Sequence, residues 1–446
     1  MLDLKLEGGR IVRPDGRSPR VESIGIAGEG IAMVGDLREV PARAVLDITG
    51  TYVLPGTIDT HVHIGHTDLT REFLTESQLA AVGGVTCLLV YFRDPAPYEE
   101  NLQGFIGLGE AQSCVDFAVH LAILHDQHLD RFEDYGAIFG VTSFKMYTTY
   151  KHGEVAGFRG QDDGFILDAF RRFASCPGTV ISVHCENDDM VERGKRLWID
   201  RAGSLVEQWS QARPPIAEVE AIQRMCLLAR EAGCLLYIPH VSSGRGFETA
   251  CVERERGTRA YVETCAHYLG ADMLREAGTL AKVNPPVRSD ADARILWKAL
   301  SEGLIDTVGT DHCAIQRSTK TDDDLLGARL GFPGVGTLLP ILLDGVSRGL
   351  IDISTLARLQ SNAARIFQLG RKGLVAPGYD ADLVVVDMTV KQPVTSHCYG
   401  GTGDFSPFER ATLSGWPVIT LRRGEIIAKD GEVCANAGSG KYLRRV

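Results

Sequence analysis

GTIDTHVH, residues 56–63, is a β-rich run that ends in two histidines spaced two apart. Along a strand the side chains alternate between faces, so His61 and His63 share one face. A lone His-x-His pair is weak evidence of anything. Its setting changes the reading, because comparable runs recur at CLLVYF (87–92), FAVHLAIL (117–124), VTSFKMYT (141–148), TVISVHC (179–185), CLLYIPHV (234–241), AYVETCAHYL (260–269) and IDTVGTD (305–311). Most are apolar throughout rather than alternating, the pattern of parallel strands buried on both faces. Helix-like stretches such as REFLTESQLAAVGG, ILDAFRRFAS, EVEAIQRMCLLAREAG and DARILWKALSEG separate them, each ending near glycine or small polar residues. Eight such repeats predict an α/β protein built on a (β/α)8 TIM-like barrel.

Outward from that core the pattern changes. Before Pro55 the chain gives short runs broken by glycine and proline, LDLKLEGGRIV, ESIGIAGEGIAMVG and AVLDITGTYVLPG, which predict small antiparallel strands. The same character returns after the helix-like STLARLQSNAARIFQL (354–369), in GLVAPGYDADLVVVD (373–387) and ATLSGWPVITLRRGEIIAKDGEV (411–433). Neither end alone offers enough strands for a core. The expected division is therefore residues 1–54 as the N-terminal part of a small β-sandwich, 55–372 as a catalytic barrel, and 373–446 as the C-terminal part of the sandwich plus a tail.

Bulk composition narrows the function classes. A net charge of −11, with no basic stripe interleaved with aromatics, argues against nucleic-acid binding. No apolar stretch approaches the length of about 20 residues that crosses a bilayer, and MLDLKLEGGR lacks the apolar segment of a signal peptide. The 11 cysteines form no C-x-x-C pair and most lie among apolar neighbours, which suits reduced thiols. The expectation is a cytoplasmic protein with no nucleic-acid or membrane partner.

Histidines also end other strand-like runs, at His184 and His240. Four histidines so placed point to a metal site, because strand C-termini carry the chemistry of barrels. Neutral imidazoles suit Zn²⁺ and similar metals, whereas Ca²⁺ or Mg²⁺ alone calls for oxygen ligands. Asp311, ending the eighth run, can bind a metal through one oxygen while the other takes a proton from a nucleophilic water. His312 points the other way and reads as a supporting or packing residue. Lys145 lies in an otherwise apolar strand, where a free ammonium is expensive to bury. Either an acidic residue pairs with it, or CO₂ converts it to a carbamate able to bridge two metals.

The pieces PGTIDTHVH, GGVT, SFKMY with Tyr150 five residues beyond Lys145, VHCEN, ETCAHYL, NPPVR, GTDHC, GFPGVGTLLP, GYDADLVVVD, DFSPFE and GSGKYL span almost the whole chain. Together they resemble the amidohydrolase superfamily, and within it the dihydropyrimidinase and hydantoinase family of cyclic-amide hydrolases. The resemblance implies two Zn²⁺ per chain: His61 and His63 with Asp311 on one, His184 and His240 on the other, and carbamylated Lys145 (N6-carboxylysine) as the bridge. It also implies that hydroxide attacks a ring amide, that Tyr150 donates a hydrogen bond to the oxyanion, that Asp311 shuttles the proton, and that the chain is a homotetramer or dimer whose GSGKYLRRV tail reaches a neighbouring subunit.

Several positions depart from the family pattern. Asn284 in VNPPVR stands where hydantoinases carry serine, and Leu330 in RLGFPG stands where they carry asparagine; both places hold the ring amides through backbone groups. Gly336 replaces a glutamate. Gly65 occupies the place of the arginine with which dihydroorotases bind a carboxylate, leaving Arg71 and Arg93 as candidate substitutes. The loops His66–Phe73 and Lys151–Phe158 are expected to set substituent preference. The expected substrate is a hydantoin or dihydropyrimidine, opened to an N-carbamoyl amino acid. The alternatives are a dihydroorotase-like, allantoinase-like or other cyclic imide hydrolase, and, remotely, a non-catalytic dihydropyrimidinase-related scaffold.

Overall fold

Eight strands form the centre of the molecule: β1 (Thr57–His63), β2 (Val85–Phe92), β3 (Asp116–Ala122), β4 (Ser143–Tyr147), β5 (Val180–His184), β6 (Leu236–Ile238), β7 (Ala260–Cys265) and β8 (Thr307–Gly309). Each pairs in parallel with the next. Closure comes from the two residues His312–Cys313, which run beside β1 with His312 opposite Val62 and Cys313 opposite His63. The last barrel strand is thus broken at Thr310–Asp311, and the break matters for the site. The computed structural model describes residues 1–151, 160–321 and 324–445.

The strands are buried almost end to end, as parallel strands covered by helices must be. Two differ from the sequence expectation. β6 stops at Ile238, so His240 lies beyond its strand rather than on its last residue, and Ala266–Leu269 is a short helix instead of a continuation of β7. The sequence AHYL has no β-branched residue to hold an extended backbone.

Local chemistry sets the surrounding helices. Helix Leu69–Val82 starts on Asp68, whose side chain accepts from the Thr70 N–H; helix Asp290–Ser301 has a Ser289–Asp292 capping box. Helix Pro215–Ala232 opens on proline and ends on Gly233 in the left-handed region, φ 73°.

Both chain ends build the remaining sheets. Gly30–Gly35, Ser23–Ala27, Leu2–Glu7 and Ala42–Asp47 form a four-stranded sheet. In a seven-stranded sheet Leu383–Pro393 pairs antiparallel with Tyr52–Pro55, joining the two ends of the chain. A separate apolar core, including Leu6, Ile24, Val53, Leu383 and Leu421, lies between the sheets. Lys372 ties this unit to the base of β3, with Nζ 2.7 Å from Asp116 and 2.6 Å from Asp382.

The tail docks on its own barrel. Phe117 N–H donates to Lys441 O at 3.0 Å and Leu443 N–H to Phe117 O at 2.7 Å, placing the tail alongside β3. Arg445, only 1% exposed, donates to Ser143 Oγ at 2.7 Å and to the Val119 carbonyl. No described helix is long and apolar enough to cross a membrane.

Candidate metal centre

His61 and His63 project from the end of β1 toward the carboxylate in the break of β8. Asp311 Oδ1 lies 2.9 Å from His63 Nε2 and 3.3 Å from His61 Nε2. Donor atoms of these three residues lie within 4.8 Å of one another, a metal-binding cluster of mixed nitrogen and oxygen ligands. The His240 ring is 5.3 Å from the His61 ring and 4.5 Å from the His184 ring, centroid to centroid, so the second histidine pair stands beside the first. Burial holds His184 and His240 below the ordinary imidazole pKa, and the Lys145 charge pushes both in the same direction, favouring the neutral form that binds metals.

The backbone is strained where it presents these groups. Asp311 has φ 52°, His240 φ 41° and Tyr150 φ 69°, a region that costs a side-chain-bearing residue about 1–2 kcal/mol. Asp59 braces the break in β8: its carboxylate accepts from Thr310 Oγ1 at 2.6 Å and from the backbone N–H of Thr310 and His61, both at 3.1 Å. Complete burial pushes the Asp59 carboxyl up to about 7.

Carboxylates behind the histidines set their orientation. Glu263 accepts from His61 Nδ1 at 2.9 Å, Thr60 Oγ1 at 2.5 Å, Tyr237 Oη at 2.7 Å and the His240 backbone N–H at 3.1 Å. A proton on His61 Nδ1 leaves the Nε2 lone pair facing the cluster, which a ligand requires. His184 Nε2 lies 2.7 Å from Glu186 Oε2, and Glu186 is clamped in turn by Arg213, with Nε–Oε1 3.0 Å and Nη2–Oε2 2.5 Å. Sequence reasoning missed Glu263, Glu186 and Arg213 as site residues, although ETCAHYL and VHCEN contain the two carboxylates.

Lys145 Nζ is buried and has no hydrogen-bond partner among the described residues. It lies 4.8 Å from the Tyr91 ring centroid, and burial brings its ammonium down to about 8. No acidic residue forms an ion pair with it among the described residues, so the first of the two sequence readings finds no partner. A buried, orphaned amine beside a cluster of imidazoles and a carboxylate fits a group completed by further ligation.

Tyr150 Oη lies 3.4 Å from Asn284 Nδ2, and Asn284 Oδ1 accepts from Trp209 Nε1 at 3.2 Å. Burial raises the Tyr150 phenol well above its ordinary pKa, keeping it a proton donor. Tyr150, Asn284 and Leu330 line the same cavity of about 570 Å³ as the histidines, Lys145 and Asp311. Every sequence-derived site residue therefore reaches one space. His312 faces away, as its parity predicts: Nε2 is 3.1 Å from Glu76, while Nδ1 accepts from Gly334 N–H at 3.0 Å and so holds the loop after Asp311.

The departures acquire physical reasons. Gly65 has φ 90°, and its N–H, with those of His66, Thr67 and Asp68, donates to the Glu72 carboxylate. A side chain there would strain the turn. Arg93 lines the cavity and exposed Arg71 does not. At Gly336 a Cβ would approach Cys398 O to 2.3 Å, leaving no room for a glutamate. His66 reaches the cavity; residues 152–158 of the second substituent loop lie outside the described residues.

Comparison with known proteins agrees with this architecture. The amidohydrolase family matches residues 182–427, and a dihydro-orotase-like family matches residues 50–245. L-hydantoinase of Paenarthrobacter aurescens is 31% identical over 461 residues, covering 100% of this chain and 98% of that relative. Allantoinase of Deinococcus radiodurans is 32% identical, covering 99% of each. The solved L-hydantoinase (dihydropyrimidinase) from Arthrobacter aurescens superposes with a TM-score of 0.92 at 30% identity, covering 100% of both chains. The chain belongs to the amidohydrolase family, in its dihydropyrimidinase- and hydantoinase-like branch.

Proposed function

We propose that this protein opens hydantoin or dihydropyrimidine rings by metal-activated hydrolysis of a ring amide, yielding an N-carbamoyl amino acid. The protein is a metal-dependent cyclic amidohydrolase. The observation that carries the reading is the convergence of His61, His63 and Asp311 within ligand distance, beside the orphaned Lys145 amine. On this reading His61, His63 and Asp311 hold one Zn²⁺, His184 and His240 hold a second, and Lys145, carbamylated by CO₂, contributes a carboxylate to both. The lowered basicity of Lys145 supports that modification, since only the neutral amine attacks CO₂. When bound, the metals acidify a water and polarise the ring carbonyl.

The chain's own residues do the rest. Asp311 removes the proton of the attacking water and returns it to the departing ring nitrogen. The protonated Tyr150 hydroxyl donates to the oxygen on which negative charge grows. Asn284 and Leu330 border the ring, where their backbone groups are placed to read its amides. Metal analysis of the purified protein tests the centre: about two zinc per chain with ring-opening activity, and loss of both on Lys145→Ala, are expected; full activity without metal removes the reading.

The dihydro-orotase-like match and the allantoinase relative favour a second reading, a dihydroorotase-like or allantoinase-like substrate. Comparing kcat/KM on dihydrouracil, 5-substituted hydantoins, dihydroorotate, allantoin and simple cyclic imides separates the two. Retention of all six ligand-type residues weighs against a non-catalytic scaffold. A cytoplasmic location is proposed on the 11 unpaired cysteines. A homotetramer or dimer is proposed on the family resemblance, and a monomer by light scattering would remove that proposal.

A further inference from the structure

The described wall of the cavity is rich in basic side chains although the chain is acidic. The protein carries −11 overall, yet the described cavity wall presents Arg93, Lys195, Arg213, Lys282 and Arg329 against the single carboxylate of Asp311. Two of these cations are matched from behind the wall, Arg213 by Glu186 and Lys195 by Glu192 at 2.8 Å. Lys282 is in a different position. It is 4% exposed, and its Nζ donates to two carbonyls, Leu326 O at 3.0 Å and Ala328 O at 2.5 Å. An ammonium has three N–H bonds, so two carbonyls do not use them all; the Trp209 ring faces it, Asp324 adds a favourable charge from farther away, and no described residue forms an ion pair with it. Burying a cation without a close ion-pair partner is expensive. Arg329, at the exposed rim, gives one N–H to the His66 carbonyl and forms no ion pair among the described residues.

Position adds to charge. Lys282 is two residues before Asn284 and Arg329 is one before Leu330, so both stand next to residues assigned to the ring, and Arg329 also reaches the His66 end of the cavity. The Lys282 Nζ lies 4.7 Å from the Trp209 ring centroid, and Leu326 and Leu330 line the same wall. A cavity of about 570 Å³ far exceeds one five- or six-membered ring. What remains is space bordered in part by apolar side chains, with Lys282 buried in the cavity wall and Arg329 exposed.

We propose that the substrate is a cyclic amide whose ring substituent ends in a carboxylate, with Lys282 as its buried partner and Arg329 as its partner at the rim. This rests on the ring-opening reading above. The test compares hydantoin-5-acetate with its neutral isostere hydantoin-5-acetamide, alongside unsubstituted hydantoin and dihydroorotate, using the metal-loaded full-length enzyme. The acetate is expected to have at least roughly a tenfold higher kcat/KM than the acetamide, the scale of one charge-assisted hydrogen bond. In Lys282→Met that ratio should collapse toward one, and Lys282→Arg should retain a preference for the acid. Because Lys282 also ties down residues 326 and 328, Arg329→Met serves as a second variant, expected to lower the same ratio; the ratio within one variant cancels any general loss of folded enzyme. Equal or faster opening of the acetamide overturns the anionic assignment and leaves ring opening intact. A higher kcat/KM on dihydroorotate overturns it as well, by moving the carboxylate onto the ring. Failure to open any of the four rings overturns both readings.

Discussion

Glu263 contacts the cluster only through other groups, yet it determines how His61 presents its ring. Four donors from β1, β6 and the segment after β6 converge on its carboxylate. Glu263→Gln retains the shape but puts an amide donor among donors, so metal affinity measured by competition with a chelator should fall about 10–100-fold. Glu186 makes a different bargain with Arg213. Burial alone would raise its carboxyl, but the Arg213 guanidinium overcomes it and holds the group at about 2, below the ordinary 4.5. A carboxyl depressed in the folded state stabilises the protein above its unfolded value and loses that contribution as pH falls through the folded one. Glu186→Gln should cost about 3–5 kcal/mol near neutrality, because it removes one charge of a buried ion pair. In urea unfolding, the gap between wild type and variant should narrow from about pH 4.5 down to about 2; a gap independent of pH would contradict this account.

Between elements, the decisive contact is a close backbone approach. The end of helix Leu69–Val82 and the turn Val335–Thr337 meet at Gly83 and Gly336, and the carbonyl of Cys398 closes over Gly336. That turn follows the loop held by His312, so its position is linked to the segment carrying Asp311. Gly336→Ala forces its Cβ against Cys398 O and should cost about 1–3 kcal/mol by urea unfolding. An unchanged midpoint would mean that the turn yields freely. The eighth strand makes the same point in reverse: its interruption at Thr310–Asp311 gives up ladder hydrogen bonds so that a carboxylate in left-handed conformation faces the barrel axis.

At the scale of the molecule, the chain ends close on the barrel rather than trailing from it. Tyr52–Pro55 and Leu383–Pro393 share a sheet, and the tail continues along β3 until Arg445 enters the barrel base. Arg445 is bound to Ser143, at the start of the strand that carries Lys145. Removing residues 440–446 should therefore lower the melting temperature in calorimetry by at least about 1 °C, the effect of roughly 1 kcal/mol in a chain of this length. A tail that contributes nothing to the folded chain would leave it unchanged.

The eight strand runs, the helices between them and the histidines at or just beyond their ends were legible in sequence because each is a local pattern, set by apolar spacing and side-chain parity over a few residues. The β-rich ends were legible for the same reason. Closure decided the rest. Glu263 meets His61 across 202 residues and Asp59 meets Thr310 across 251; no spacing rule reports such pairs, since their geometry exists only once the barrel is shut. Lys145 shows the division most clearly. Its place in an apolar strand marked it as costly, but only the packed interior, which surrounds its amine with rings and supplies no carboxylate partner among the described residues, separates an ion pair from a group awaiting completion. Desolvation is a property of the whole enclosure, and it cannot be assigned to any one stretch of chain.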